Sequence, residues 1–190
     1  MLLTGERRGR HLASTRMETP PVRGDEGLSR SVSAVRQLFD AAACSCALAN
    51  PDGSSLSFAA AEGIGAGAII GVEVPVDRGL VGWAAMSGQP VGVSDVRADP
   101  RFARDIAERT GYVPTTILAA PFFDSAWDVL GVIEVLDPGV TAPGNWALDV
   151  LGTLAAMFPP LLATNVVTPA DLRLAQLGRR VSELVQAHHE

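Results

Sequence analysis

Val76-Asp77-Arg78-Gly79-Leu80-Val81-Gly82-Trp83-Ala84-Ala85-Met86-Ser87-Gly88-Gln89-Pro90 is the stretch on which the fold turns. Asp caps helices, Gly ends them, and Pro suits the start of a strand, so the stretch predicts a strand end, a helix over Leu80 to Ser87 opened by Asp77 and stopped by Gly88, and a new strand. The pattern then repeats. Asp99 is placed to cap, Pro100 suits the first helical position, where a missing N–H is not needed, and Gly111 ends the helix in a left-handed turn.

Upstream, Leu28, Val32, Val35, Leu38, Phe39 and Ala42 recur at intervals of three and four, the spacing of one amphipathic helix. Ala43 to Ala49 alternates as a strand, with Cys44, Cys46 and Leu48 on one face. Its other face, Ala43, Ser45, Ala47 and Ala49, is small and predicts the close approach of a helix. Pro51-Asp52-Gly53 signals a turn, and Leu56, Phe58 and Ala60 open the returning strand. The glycines of 62–67 lack the strand-to-helix setting of a phosphate loop and read as a connection. Ile70, Val72, Val74 and Val76 alternate as a half-exposed strand, and Pro75, which has no N–H to donate, marks a sheet edge. Val91, Val93 and Asp95 share a strand face. Thr115 to Phe123 and Asp128 to Leu136 are apolar on both faces, so the sheet is covered on both sides. Asp124-Ser125-Ala126-Trp127 joins them as a hairpin loop. Trp146 to Ala163 is a final helix, ended or kinked at Pro159-Pro160.

The 190 residues allow one well-cored domain with tails, and 47% hydrophobic content supports a globular chain. No apolar run reaches the roughly 18–20 residues that span a bilayer. Residues 1–24 are Arg-rich with little apolar periodicity and read as a disordered tail. They lack the apolar core of a secretory signal, which predicts a cytoplasmic protein, and Met17 is a second candidate start. The net charge is −6, every one of the fifteen basic residues is Arg, and outside the tail they are scattered; nucleic acid is therefore not an expected partner. Cys44 and Cys46, two apart in one strand that rises about 3.3 Å per residue, cannot bridge without severe distortion and read as free buried thiols. Residues 165–190, with Leu174, Leu177, Val181 and Leu184, form an amphipathic helix too short to stand alone, which docks on the domain or a partner.

Gly79-Leu80-Val81-Gly82-Trp83-Ala84, Gly88-Gln89-Pro90, Asp99-Pro100-Arg101-Phe102 and Gly131-Val132-Ile133-Glu134-Val135-Leu136 occur in an order and at spacings that resemble a GAF domain over Leu28 to Leu162. The resemblance implies an α+β fold over 25–164: a mainly antiparallel sheet of about six strands, helices on both faces, and a cavity between the sheet and the helices of Leu80 to Gly111. It also allows several chemistries to be weighed. Histidine occurs only at positions 11, 188 and 189, which leaves no core axial ligand for haem. No cysteine follows the mid-domain helices to tether a bilin. The free methionine-R-sulfoxide reductases of the family carry a reactive thiol in Gly-Val-Cys-Gly, where this chain has Val81, and a second one near Arg104. The Asn-Lys of cyclic-nucleotide-binding relatives is replaced by Asp137-Pro138. No cofactor and no metal are expected.

The remaining candidates are polar or aromatic residues around the implied cavity. Glu134, on an apolar strand, must find a partner or become neutral, and is placed either to anchor a ligand amine or to make a structural hydrogen bond. Asp95, Thr115 and Thr116 require backbone partners or strand-end exposure. Trp83, Phe102 and Tyr112 suit an aromatic wall or an ordinary core. Arg101 and Arg104, in the predicted turns after Asp99, suit an acidic ligand or plain solvent. The expectation is a sensory module: a small molecule enters the cavity, orders the loops between Val96 and Thr115, and shifts terminal helices that hold a homodimer or a separate signalling protein. The alternatives are a ligand-free dimerisation or interaction module and, despite the missing cysteines, the reductase. The 23 residues from Thr168 leave no room for a usual output domain.

Overall fold

The computed structural model describes residues 24–139 and 146–163. The expected N-terminal tail, apart from Gly24, and the C-terminal helix lie outside them. In chain order the elements are α1 (Gly24–Leu38), β1 (Ala43–Ala49), β2 (Ser55–Gly63), α2 (Ala66–Ile69), β3 (Glu73–Pro75), α3 (Gly79–Ser87), β4 (Val91–Val93), α4 (Arg104–Thr110), β5 (Ile117–Phe123), β6 (Val129–Leu136), α5 (Trp146–Ala155) and α6 (Pro159–Ala163). The six strands form one antiparallel sheet in the order β3-β2-β1-β6-β5-β4. Pro75 lies in β3, at an edge, where its lack of a donor is tolerated.

Two apolar cores lie on opposite faces of this sheet. On one, Leu28, Val32 and Val35 of α1, Phe39 just after it, and Leu151, Leu154 and Ala155 of α5 pack against Cys44, Cys46, Leu118, Ile133 and Val135. On the other, Leu80, Val81 and Ala84 of α3 pack against Leu56, Phe58, Ala119 and Val132. Each large side chain taken fully from water contributes about 1.5–3 kcal/mol, so both faces are needed to hold the sheet. The helix packed most closely on β1 is not on the small-residue face where a close helix was expected. α1 covers the cysteine face, and the small face of β1 lies partly open beneath α2, α3 and α4.

Two register shifts alter the alternation read from sequence. At the first, Cys46 pairs with Ala60 and Ala47 with Phe58, so Ala59 is extra and Ala60 moves to the α1 side. At the second, Phe122 pairs with Gly131 and Phe123 with Val129, which turns Leu130 away from the face of Val132 and Glu134. The helix starts also differ. α3 begins at Gly79 after Arg78, without a side-chain cap from Asp77. Asp99 binds the backbone N–H and the guanidinium of Arg101 in a turn, and α4 starts only at Arg104. Both helices end as predicted, with Gly88 and Gly111 left-handed. The expected strand from Ile70 is shortened to Glu73–Pro75, because α2 occupies the chain to Ile69. The final helix breaks before Pro159 into α5 and α6.

α3 seats tightly on the chain that precedes it. A Cβ on Gly82 would lie 2.6 Å from the Val76 carbonyl oxygen and 2.9 Å from that of Pro75. Only glycine fits this contact, and it sets the depth at which α3 covers the sheet.

Candidate functional site

Between the sheet and α2, α3 and α4 lies a cavity of about 90 Å³. Its floor is the small face of β1, with Ala43 and Ser45, beside Glu134 and Leu136 of β6. Its roof is built from Ile69 of α2, the first turn of α3 at Gly79 to Val81, Phe102, and Ile106 and Thr110 of α4. The hollow exists because short side chains on β1 leave space that the roof does not fill. α4 buries none of its residues and is tied to the start of α3 by an exposed Arg78–Asp105 ion pair of 2.6 Å.

Glu134 is the buried polar group of this hollow. Ser45 lies directly opposite it across the β1–β6 pair and donates its hydroxyl to Glu134 Oε2 at 3.4 Å. That bond is long, and among the described residues it is the only side-chain hydrogen bond to the carboxyl. Removal from water disfavours the charged form and pushes the carboxyl up to about 7, a rise that the Ser45 bond only partly offsets. Sequence reasoning required Glu134 to find a partner or become neutral, and here it has a weak partner and a raised pKa.

Tyr112 closes the site on another side. Its hydroxyl makes a short bond to Asp137 Oδ2, while Asp137 Oδ1 accepts the N–H groups of Thr115 at 2.8 Å and Thr116 at 2.7 Å. Asp137 adopts φ 48, a left-handed backbone that Asp tolerates better than most residues. The loop between α4 and β5 is thereby fastened to the end of β6. Burial, and then the bond to Asp137, push the Tyr112 phenol up to about 12.

Of the residues singled out from the sequence, Phe102, Tyr112 and Glu134 line the cavity together, and Trp83, Asp95, Arg101 and Thr116 do not. Arg101 makes a two-pronged ion pair with Asp99 and places its guanidinium 4.6 Å from the centre of the Trp83 ring. That bond holds the Asp99 carboxyl below its usual range. Asp95 caps its own turn through the Arg97 N–H, and Thr116 hydrogen-bonds at the strand end. Arg104 is exposed and also lies outside the lining, so the arginines expected to favour an acidic ligand are not in the hollow. Sequence reasoning missed Ser45, Ile69, Ile106 and Thr110. Ser45 alone carried a signal, as the polar member of the small face of β1.

A single antiparallel sheet, covered by α1 and α5 on one face and roofed by short helices over a hollow on the other, defines an α+β domain. The GAF domain family model matches residues 24–158, and the chain belongs to that family. The dual 3′,5′-cyclic-AMP and -GMP phosphodiesterase 11 of Drosophila melanogaster is 39% identical over 66 residues, which are 35% of this chain and 4% of that protein. The GAF domain of an Acinetobacter phosphoenolpyruvate-protein phosphotransferase superposes with a TM-score of 0.62 at 21% identity, covering 76% of this chain and 84% of that one. The free methionine-R-sulfoxide reductase of Neisseria meningitidis, solved with its substrate, gives 0.61 at 19%, covering 74% and 78%. At these identities the structural likeness is one of fold. GAF domains occur in sensory and regulatory proteins, among them phosphodiesterases and chemotaxis proteins. Among the described residues no helix is long and apolar enough to cross a membrane.

Proposed function

We propose that this chain is a non-enzymatic, cytoplasmic regulatory module that binds a small molecule in the cavity and signals to a dimer mate or a separate protein. The observation that carries the proposal is Glu134, a carboxyl buried on the floor of a mostly apolar hollow with, among the described residues, a single long side-chain hydrogen bond. Packing alone favours a hydrophobic residue there, since a buried carboxyl with little compensation lowers stability. A ligand that completes its hydrogen bonding gives the residue a purpose.

Catalysis of the reductase kind needs a reactive thiolate, and nothing here favours one. Val81 lines the cavity where the resemblance places the thiol. Cys44 and Cys46 are packed in the core on the α1 side, and burial pushes both thiols far up; Cys44 also borders the cavity, but as a fully buried thiol held in its protonated form. A cyclic nucleotide, which the name of the phosphodiesterase relative brings forward, is poorly matched, because the described lining contains no arginine to meet its phosphate.

The route outward starts at Tyr112. Its bond to Asp137 joins the cavity loop to the end of β6, and two residues on Gly139 donates its N–H to the Phe39 and Asp40 carbonyls, at the end of α1. A ligand that binds two positions of this loop unequally biases α1 through these bonds. The exposed Trp127, 80% accessible on the β5–β6 hairpin, favours a second reading, an interaction module without ligand.

A thermal-shift screen against a metabolite panel separates the two. A ligand raises the melting temperature by mass action and loses its effect when the cavity is filled by Ala107→Phe. Silence across the panel supports the interaction module.

A further inference from the structure

The ionisable residues lining the cavity are Glu134 on the floor, Glu62 at its exposed edge, Tyr112 and the buried thiol Cys44, and no arginine is among them. The chain contains no lysine, and its histidines at 11, 188 and 189 lie outside the described residues. Arg101 is committed to Asp99. Arg36 lies on the far side of the sheet, where its guanidinium donates to the Ala41 carbonyl. Once Glu134 ionises, the described walls therefore offer negative charge and no positive side chain to balance it.

From this inventory, and resting on the reading of the cavity as a binding site, we infer that its ligand is a small molecule carrying a protonated amino group, which pairs with the carboxylate of Glu134. An ammonium group has three N–H donors. Besides Glu134, the lining supplies the oxygens of Ser45, Thr110 and Tyr112; the last two already donate their own hydrogens, to Ala107 and Asp137, and so present lone pairs. The first turn of α3 also lines the hollow without a side-chain cap and by itself favours an oxygen acceptor. Its field amounts to roughly half an elementary charge, less than the full charge of an ionised carboxylate, so Glu134 decides the sign. Size sets a second limit. Against the engineered cavity of roughly 150 Å³ that holds the six carbons of benzene, a hollow of about 90 Å³ takes a ligand on the order of four heavy atoms, or five where its tail reaches the exposed edge at Glu62.

Binding is then coupled to a proton. In the empty cavity burial holds the Glu134 proton near neutral pH, and an arriving ammonium displaces it to solvent. The other titratable groups around Glu134 are Glu62 of β2, Tyr112 of the loop after α4, Asp137 at the end of β6, Cys44 of β1, which borders the hollow, and Arg36 of α1 behind the sheet. The lining residues of α2, α3, α4 and β5 carry no titratable group.

Calorimetric titration with n-butylamine, n-butanol and butyrate, three probes of nearly one shape, tests the assignment. Butylamine is expected to bind the wild-type protein at least about tenfold more tightly than the other two, and to release a proton at about pH 6, seen as a dependence of the heat on the buffer. Glu134→Gln keeps the side chain's size and hydrogen-bonding capacity but not its charge, and is expected to bind butylamine about tenfold more weakly. Equal binding of butanol or butyrate, or unchanged binding of butylamine by E134Q, overturns the amine assignment while leaving the cavity a binding site. If none of the three probes, nor any member of the metabolite panel, binds, both readings fail.

Discussion

Glutamine at position 134 isolates the energetic consequence of burying a carboxyl in this sheet. The amide fills nearly the same space and still accepts the Ser45 hydroxyl, so the change removes the ionisation and little else. In the folded protein the Glu134 carboxyl is raised from its ordinary 4.5 to about 7. Between those values the native protein holds a proton that the unfolded chain has released, so stability falls as pH rises. Below the lower value both states are protonated and the penalty is absent; above the higher both are ionised and it is complete. The difference corresponds to about 3 kcal/mol. Urea unfolding of wild-type protein and E134Q from about pH 4 to pH 9 measures it, because the other titrating groups cancel in the comparison. The two proteins are expected to match within about 0.5 kcal/mol at the acid end, and E134Q to be more stable by about 3 kcal/mol at the alkaline end. Parallel profiles would refute the reasoning, since they would mean that the native carboxyl is solvated or well paired.

Tyr112 is the chain's one tyrosine, so its phenolate absorbance reports a single site, expected to titrate at about 12. Asp137→Asn keeps the left-handed backbone but removes the charge, and should bring that value part of the way back towards 10, with burial accounting for the rest. Gly82→Ala forces a methyl against two carbonyl oxygens and is expected to lower stability by about 1–3 kcal/mol in denaturant unfolding. Both cysteines are buried, so a thiol-specific disulfide reagent should modify the native protein only as fast as it opens, and rapid labelling of Cys44 or Cys46 would contradict the assignment of both to the core.

Where local chemistry decides the outcome, the sequence was a sufficient guide. Gly88 and Gly111 end their helices because few other residues take their backbone angles, and Pro75 lies at an edge because it lacks a donor. Where two nearby groups compete, it was not. Asp99 has a helix start and the Arg101 guanidinium within reach, and the charged partner takes it. The same bond explains why Arg101, and Trp83 stacked with it, stand apart from the cavity. Glu134 was legible because a carboxyl among alternating apolar residues is an energetic anomaly on any fold. Ile106 and Thr110 were not, since their roles depend on how α4 lies over β1, a long-range placement with no signature in the local alternation. The small face of β1 carried the most information and invited the wrong inference: small residues allow either a close helix or an open space, and here they leave the space.

The most direct measurement is a high-resolution crystal structure of the protein purified without exchange of its bound contents. The predicted result is a small non-protein molecule above β1, with a nitrogen within hydrogen-bond distance of a Glu134 oxygen. A hollow closed by the side chains of Ile69, Phe102 and Ile106, with Glu134 paired to another protein group, would contradict it.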